Sequence, residues 1–184
     1  MHFPILKVSN DGEARGSRLY AEQAKNAKYL PVLWTVSRAG HVNINSAERL
    51  SALRAVIAWS ESGERPENKT AMIVMERASR AAFIGRVAGG TVTRLRPLYG
   101  NIYTNLVVDD LHTLGIKLGD IFALTHGKQT VTATFANAYS DVPLGEWVAF
   151  IDPESYVQIS RNYENATMTL GVEVGDTLLI SHIK

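Results

Sequence analysis

The spacing of apolar residues changes once along this 184-residue chain, near residue 89, and that change limits the folds open to it more than any other feature. Before it, apolar residues fall in short buried-strand runs and helical stripes. After it they recur every second residue between glycine-rich turns, the signature of short strands with one buried face. An α+β chain in two parts follows: a β-α-β-α segment over residues 1–66, a linker over 67–86, and a small antiparallel β-barrel over 87–184. Residues 64–70 are polar and proline-containing, and 71–88 fit helix or strand equally. Charge divides at the same place. Residues 1–86 carry thirteen Lys/Arg against eight Asp/Glu, and residues 87–184 carry six against ten. The basic residues of the first part are scattered and not interleaved with aromatics, so no nucleic acid partner is expected.

In the first part, residues 3–8 read as a strand ending at the turn Ser9-Asn10-Asp11-Gly12. A helix is expected from Ser17, as N-cap, to about Lys28, and a buried strand over 31–36. The strongest helix follows. Asn45 and Glu48 form a capping box, Leu50, Leu53, Val56 and Ile57 an apolar stripe, and Gly63 with Pro66 the stop. Two strands and two helices make a poor independent core, so this segment reads as the edge of something larger. In the second part, strands are expected over 91–95, 102–106, 121–125, 130–135, 147–151, 156–160 and 177–182. A short helix is expected over 109–115 and a hairpin turn at His126-Gly127-Lys128.

Composition excludes several chemistries. The chain has no cysteine, hence no disulfide, thiolate zinc site or thiol nucleophile. Its five histidines lack metal-ligand spacing, so no metal is expected. Gly85–Gly90 lacks the strand-turn-helix context of a dinucleotide loop. No run of about 18 apolar residues exists to span a membrane. Nor does the N-terminus read as a signal peptide, which makes the cytoplasm the default expectation for this chain, although a longer form could carry a signal.

Four ordered motifs carry a likeness in the second part: Tyr99-Gly100-Asn101-Ile102-Tyr103-Thr104-Asn105, Tyr139-Ser140-Asp141-Val142-Pro143-Leu144-Gly145-Glu146, Tyr156-Val157-Gln158-Ile159-Ser160-Arg161-Asn162, and Leu170-Gly171-Val172-Glu173-Val174-Gly175-Asp176. With Thr134-Phe135-Ala136, they resemble the C-terminal domain of the SAM hydroxide adenosyltransferase and SAM-dependent halogenase family. The resemblance implies a barrel that grips the adenosyl end of SAM, or adenosine, at a subunit interface of a homo-oligomer, usually a trimer. It implies that Phe135 packs on the adenine, that Arg161, Asn162 and Tyr163 meet the base edge, and that Tyr99 and Asn101 lie in the motif near the methionine end. The chain also departs from the family. Arg96 stands where an acidic residue is expected, Pro153 and Glu154 replace the carboxylate-binding pair, and the Thr/Ser-Asp-Phe/Leu-Gly motif of the family's N-terminal domain does not occur. Ligand recognition without turnover by this chain alone is the expectation.

The first part has a different likeness. Ser37-Arg38-Ala39-Gly40-His41, Asn45 and the helix ending Ser62-Gly63-Glu64-Arg65-Pro66 resemble the C-terminal end of an esterase-type α/β-hydrolase. That likeness implies His41 as general base and Asp11 as its orienting acid. The nucleophile, a Gly-x-Ser-x-Gly serine, does not occur and is expected upstream of Met1. The functions that compete are therefore nucleoside recognition by the barrel, ester hydrolysis through Asp11 and His41, and an oligomerisation module without ligand.

Overall fold

The computed structural model describes residues 5–10, 14–24, 30–38 and 43–183. The chain divides into two units, Met1–Met75 and Glu76–Lys184. The first is a parallel three-stranded sheet in the order β1 (Leu6–Asn10), β2 (Val32–Val36), β3 (Lys69–Thr70). Helix α1 (Ala14–Gln23) joins β1 to β2, and α2 (Ser46–Ser62) joins β2 to β3. Leu6 pairs with Val32 and Asn10 with Val36. β1 ends two residues later than the sequence suggests, and residues 3 and 4 of the expected strand lie outside the described residues.

The capping box of α2 forms as expected. Asn45 accepts from the Glu48 N–H at 2.8 Å, the Glu48 carboxylate accepts from the Asn45 N–H at 2.9 Å, and Gly63 closes the helix at φ 76°. The expected apolar stripe, in contrast, is not the buried face. Leu50, Leu53 and Ile57 are about half exposed, and the covered positions are Glu48, Ala52, Ala55 and Trp59, spaced at four, three and four residues. Helix α1 also departs from expectation. It begins at Ala14 and not at Ser17, which lies buried inside it with no hydrogen-bond partner for its hydroxyl among the described residues.

The second unit is a closed seven-stranded barrel. Its strands run β11 (Thr177–His182), β7 (Ile121–His126), β8 (Gln129–Phe135), β9 (Trp147–Ile151), β10 (Val157–Arg161), β6 (Asn101–Thr104) and β5 (Val87–Arg96), and β5 closes back on β11. The short β4 (Ala82–Ile84) adds to the outer edge of the first half of β5. Thus β3 and β4 both fall within the expected linker 67–86, β3 in its polar start and β4 in the stretch that fitted helix or strand equally. The barrel is antiparallel except at one seam, where β8 and β9 pair in parallel. The segment 136–146, with a 3-10 turn at Tyr139–Asp141, crosses over between them. The hairpin at Gly127-Lys128 forms where expected, with His126 paired to Gln129.

Inward positions of all seven strands, together with α3 (Val108–Thr113) and α4 (Ala166–Leu170), fill one apolar interior that includes Ile102, Leu106, Phe122, Leu124, Ile159, Leu178 and Ile180. Burial of each such side chain contributes about 1.5–3 kcal/mol before entropy is counted. A second, smaller cluster lies outside the barrel wall, where Ala136 and Val142 of the crossover segment cover Val148. No helix among the described residues is long and apolar enough to cross a membrane.

Candidate functional site

The β5–β6 turn and α4 are locked together by one glycine. Gly100 adopts φ 70°, and a Cβ there would stand 2.4 Å from the Asn165 Cα and 2.8 Å from the Ala166 nitrogen. Only glycine permits both that backbone conformation and that approach. The Gly100 carbonyl accepts from the Thr167 N–H at 3.0 Å, and Asn165 Nδ2 donates to the Pro97 carbonyl at 2.8 Å. Asn165 also caps α4, its Oδ1 accepting from the Met168 N–H at 2.9 Å. Tyr99 and Tyr163, on the two segments so joined, are respectively 64% and 92% exposed.

Asn101, the next residue, is buried, and its amide is oriented by a polar string along the outer face of β10. Gln158 Nε2 donates to Ser160 Oγ at 3.0 Å and lies 2.9 Å from the Tyr139 hydroxyl, and Ser160 Oγ donates to Asn101 Oδ1 at 3.1 Å. With its oxygen held, the Asn101 Nδ2 has no acceptor among the described residues. Gln158 and Ser160 alternate with the core residues Val157 and Ile159, and sequence alternation alone would place them in solvent. They are buried because the crossover segment 136–146 lies over them. That covering could not be read from spacing.

Arg161 and Asn162 belong to the same wall. Arg161 Nε donates to the Gly145 carbonyl at 2.9 Å and Nη1 to Thr169 Oγ1 at 3.1 Å, and the guanidinium lies 5.4 Å from the centre of the Trp147 ring. Asn162 is buried, with Nδ2 donating to the Val142 carbonyl at 2.8 Å and its backbone paired with Glu146 and Gly145. Its side chain is therefore committed to holding the crossover segment. Phe135 is 4% exposed and part of the packed interior, so in this chain its ring presents no free face. The structure thus gathers Tyr99, Asn101, Arg161, Asn162 and Tyr163 around α4 and the ends of β6 and β10, and leaves Phe135 in the core. The accessible aromatics there are Tyr99 and Tyr163.

The β9–β10 hairpin carries Pro153 and Glu154. Glu154 pairs with Arg77 at 3.4 Å. Asp152 accepts from the Glu154 and Tyr156 N–H groups, at 2.9 and 3.0 Å. Burial pushes its carboxyl above the usual range, and neither those bonds nor the Arg94 charge offsets that.

Asp11 and His41 lie outside the described residues. Their neighbours are tied together: Asn10 Nδ2 donates to the Arg38 carbonyl at 3.2 Å, and the Asn43 N–H donates to Asn10 Oδ1 at 3.3 Å. Nearby, Glu48 takes both ends of the Arg38 guanidinium, at 2.8 and 3.0 Å, and the Ile73 N–H at 2.9 Å. Burial pushes the Glu48 carboxyl up, but these bonds, with that from the Asn45 N–H, outweigh it and hold it below the usual range. This carboxylate is structural.

Elsewhere in the barrel, Arg86, His112 and His182 line an open cavity of about 310 Å³ that none of the residues expected at a site reaches. Among the described residues no group of three or more His, Asp or Glu could hold a metal ion.

Comparison with known proteins places the barrel. No curated protein matches the sequence. An uncharacterised conserved protein from Thermotoga maritima superposes with a TM-score of 0.53 at 24% identity, over 60% of this chain and 41% of the other. This chain therefore spans well under half the length of that protein, and the likeness establishes the fold alone. A conserved hypothetical protein from Thermus thermophilus aligns at 17% identity over 50% of this chain and 34% of the other, with a TM-score of 0.37, too low to carry an argument. Residues 98–179, which begin at the β5–β6 turn and end in β11, match the family model of the SAM hydroxide adenosyltransferase C-terminal domain.

Proposed function

We propose that the barrel recognises an adenosyl group, and that the site is completed by a second copy of the chain. One observation carries this reading. The span that matches the adenosyltransferase domain contains an Asn101 amide whose oxygen is held by Ser160 and whose donors are unclaimed among the described residues, set beside the exposed rings of Tyr99 and Tyr163. An amide with free donors and an accessible aromatic face are the two elements that purine recognition needs. Leu98, Leu144 and Met168, on the same segments, are 85%, 73% and 77% exposed. Surface this apolar around a polar site supports a subunit contact that encloses the ligand.

Thermal-shift titration of the purified chain with adenosine, SAM and methionine tests the proposal. Adenosine and SAM are expected to raise the melting point, with about 2.7 kcal/mol of stabilisation at a hundredfold excess over the dissociation constant. No shift with either would sink it. Tyr163→Ala serves better than Phe135→Ala as the binding variant, because removing an exposed ring leaves the core intact. An assembled state by light scattering that is lost in Met168→Glu would support the second copy.

Ester hydrolysis is a second reading, supported by the parallel β1–α1–β2 unit and by the bonds that tie the Asp11 and His41 neighbourhoods together. It predicts that a longer form carrying an upstream Gly-x-Ser-x-Gly serine turns over a nitrophenyl ester, and that His41→Ala in that form abolishes the turnover. An unchanged rate in that variant would remove it.

A further inference from the structure

Strand β5 changes phase halfway along. Ala88, Gly90 and Val92 are buried on the barrel's inner side, and continued alternation would send Arg94 and Arg96 into the core after them. A β-bulge intervenes. Val92 pairs with Thr104, but the next register pair is Arg94 with Tyr103, so Thr93 is the extra residue, its hydroxyl donating to the Tyr103 carbonyl at 3.2 Å. Beyond the bulge Leu95 packs against the core, and Arg94 and Arg96 both face out. Bulges commonly re-aim side chains in this way beside functional sites.

The two arginines emerge opposite the candidate site. Arg96 is the register partner of Asn101, and the Arg94 guanidinium lies 3.8 Å from the centre of the Tyr103 ring. Of the nearby carboxylates, Glu154 is engaged by Arg77, and Asp152 offsets part of the Arg94 charge. Arg96 has no ion-pair partner among the described residues. The surface beside the unclaimed Asn101 amide is therefore cationic.

SAM is a poor match to that surface, because its sulfonium and ammonium are both positive and its single carboxylate offsets only one of them. An adenosine bearing a phosphate matches it in sign, and arginine is well suited to phosphate oxygens. Resting on the adenosyl reading above, we propose that Arg94 and Arg96 form a phosphate subsite, and that the ligand class is an adenosine phosphate and not SAM.

Calorimetric titration with adenosine, adenosine 5′-monophosphate and SAM at low ionic strength separates this claim from the one beneath it. The monophosphate is expected to bind about tenfold or more tightly than adenosine, the size of one or two charge-assisted hydrogen bonds, and SAM more weakly than either. Arg96→Gln should bring the ratio of monophosphate to adenosine affinity close to one, and Arg96→Glu should invert it. Both substitutions are at an exposed side chain, and a retained melting point verifies folding. Equal affinities for adenosine and its monophosphate in the wild type would overturn the phosphate subsite and leave adenosyl recognition standing, as would SAM binding the tightest of the three. No binding of any of the three would overturn both.

Discussion

In the first 75 residues the described apolar cluster has three buried members, Val32, Trp34 and Ala52, whereas the barrel's interior holds twenty. The two units are held by different means. The barrel closes its sheet on itself and needs few polar devices to fix it. The smaller unit depends on one charged knot, in which Glu48 ties the Arg38 guanidinium to the starts of α2 and of the segment at Ile73. It also leaves Leu50, Leu53 and Ile57 half exposed along α2, where a self-sufficient domain would cover them. A small unit with little apolar burial has little stability to spare, so single polar contacts matter more in it than in a packed barrel.

The largest effect should come from cutting the knot. Glu48→Ala leaves Arg38 half-buried without its partner and is expected to cost about 3–5 kcal/mol, confined to the first unit. Hydrogen exchange resolved by segment would reveal it, and equal loss of protection in both units would break the contrast. Acid should act in the same direction. Because the Glu48 carboxyl is held below its ordinary value of 4.5 in the fold, its contribution is present above that value and is lost as pH falls through the folded one. Fluorescence of Trp34 and Trp59 followed down to pH 3 would detect the loss.

Gly100→Ala tests the barrel's one obligatory backbone approach. A methyl group would meet the Asn165 backbone while forcing an L-residue to positive φ, at an expected cost of about 3 kcal/mol. The measurement is the midpoint of chemical unfolding, and a change within error would mean that α4 can move aside freely.

Asp152→Asn should be mild and of opposite sign. The amide keeps an acceptor for the Glu154 and Tyr156 N–H groups and removes a carboxylate whose ionisation burial opposes. Wild-type stability should decline as pH rises from about 3.8, the ordinary Asp value, through the raised folded value. The variant should not decline there, and at neutral pH should be the more stable by about 1 kcal/mol or less. Melting points at pH 3.5 and 7 decide the matter, and a variant less stable at both would remove the assignment.

Leu53→Glu should change the stability of the chain alone by no more than about 0.5 kcal/mol, since its side chain is exposed. A larger loss of stability, measured by chemical unfolding, would mean that the stripe is covered in solution and that the smaller unit is not as incomplete as its described core suggests.

Much of this was legible in local sequence. The period-two segments gave the barrel strands, with β9 and β11 at their observed bounds. Asn45, Glu48 and Gly63 gave the ends of α2, because capping is settled within one turn of the chain. The ordered motifs identified the domain that residues 98–179 match. What spacing could not supply was every feature that depends on what lies on the other side. The burial of Glu48 and Ala52, and not Leu50 and Leu53, depends on where the sheet meets the helix. The burial of Gln158 and Ser160 depends on a segment twelve or more residues away, and the parallel β8–β9 seam on where that segment crosses. The outward turn of Arg94 and Arg96 required the bulge opposite Tyr103, which no residue type at Thr93 announces. Periodicity records which side of an element differs from the other, and only packing against distant neighbours fixes which side is covered.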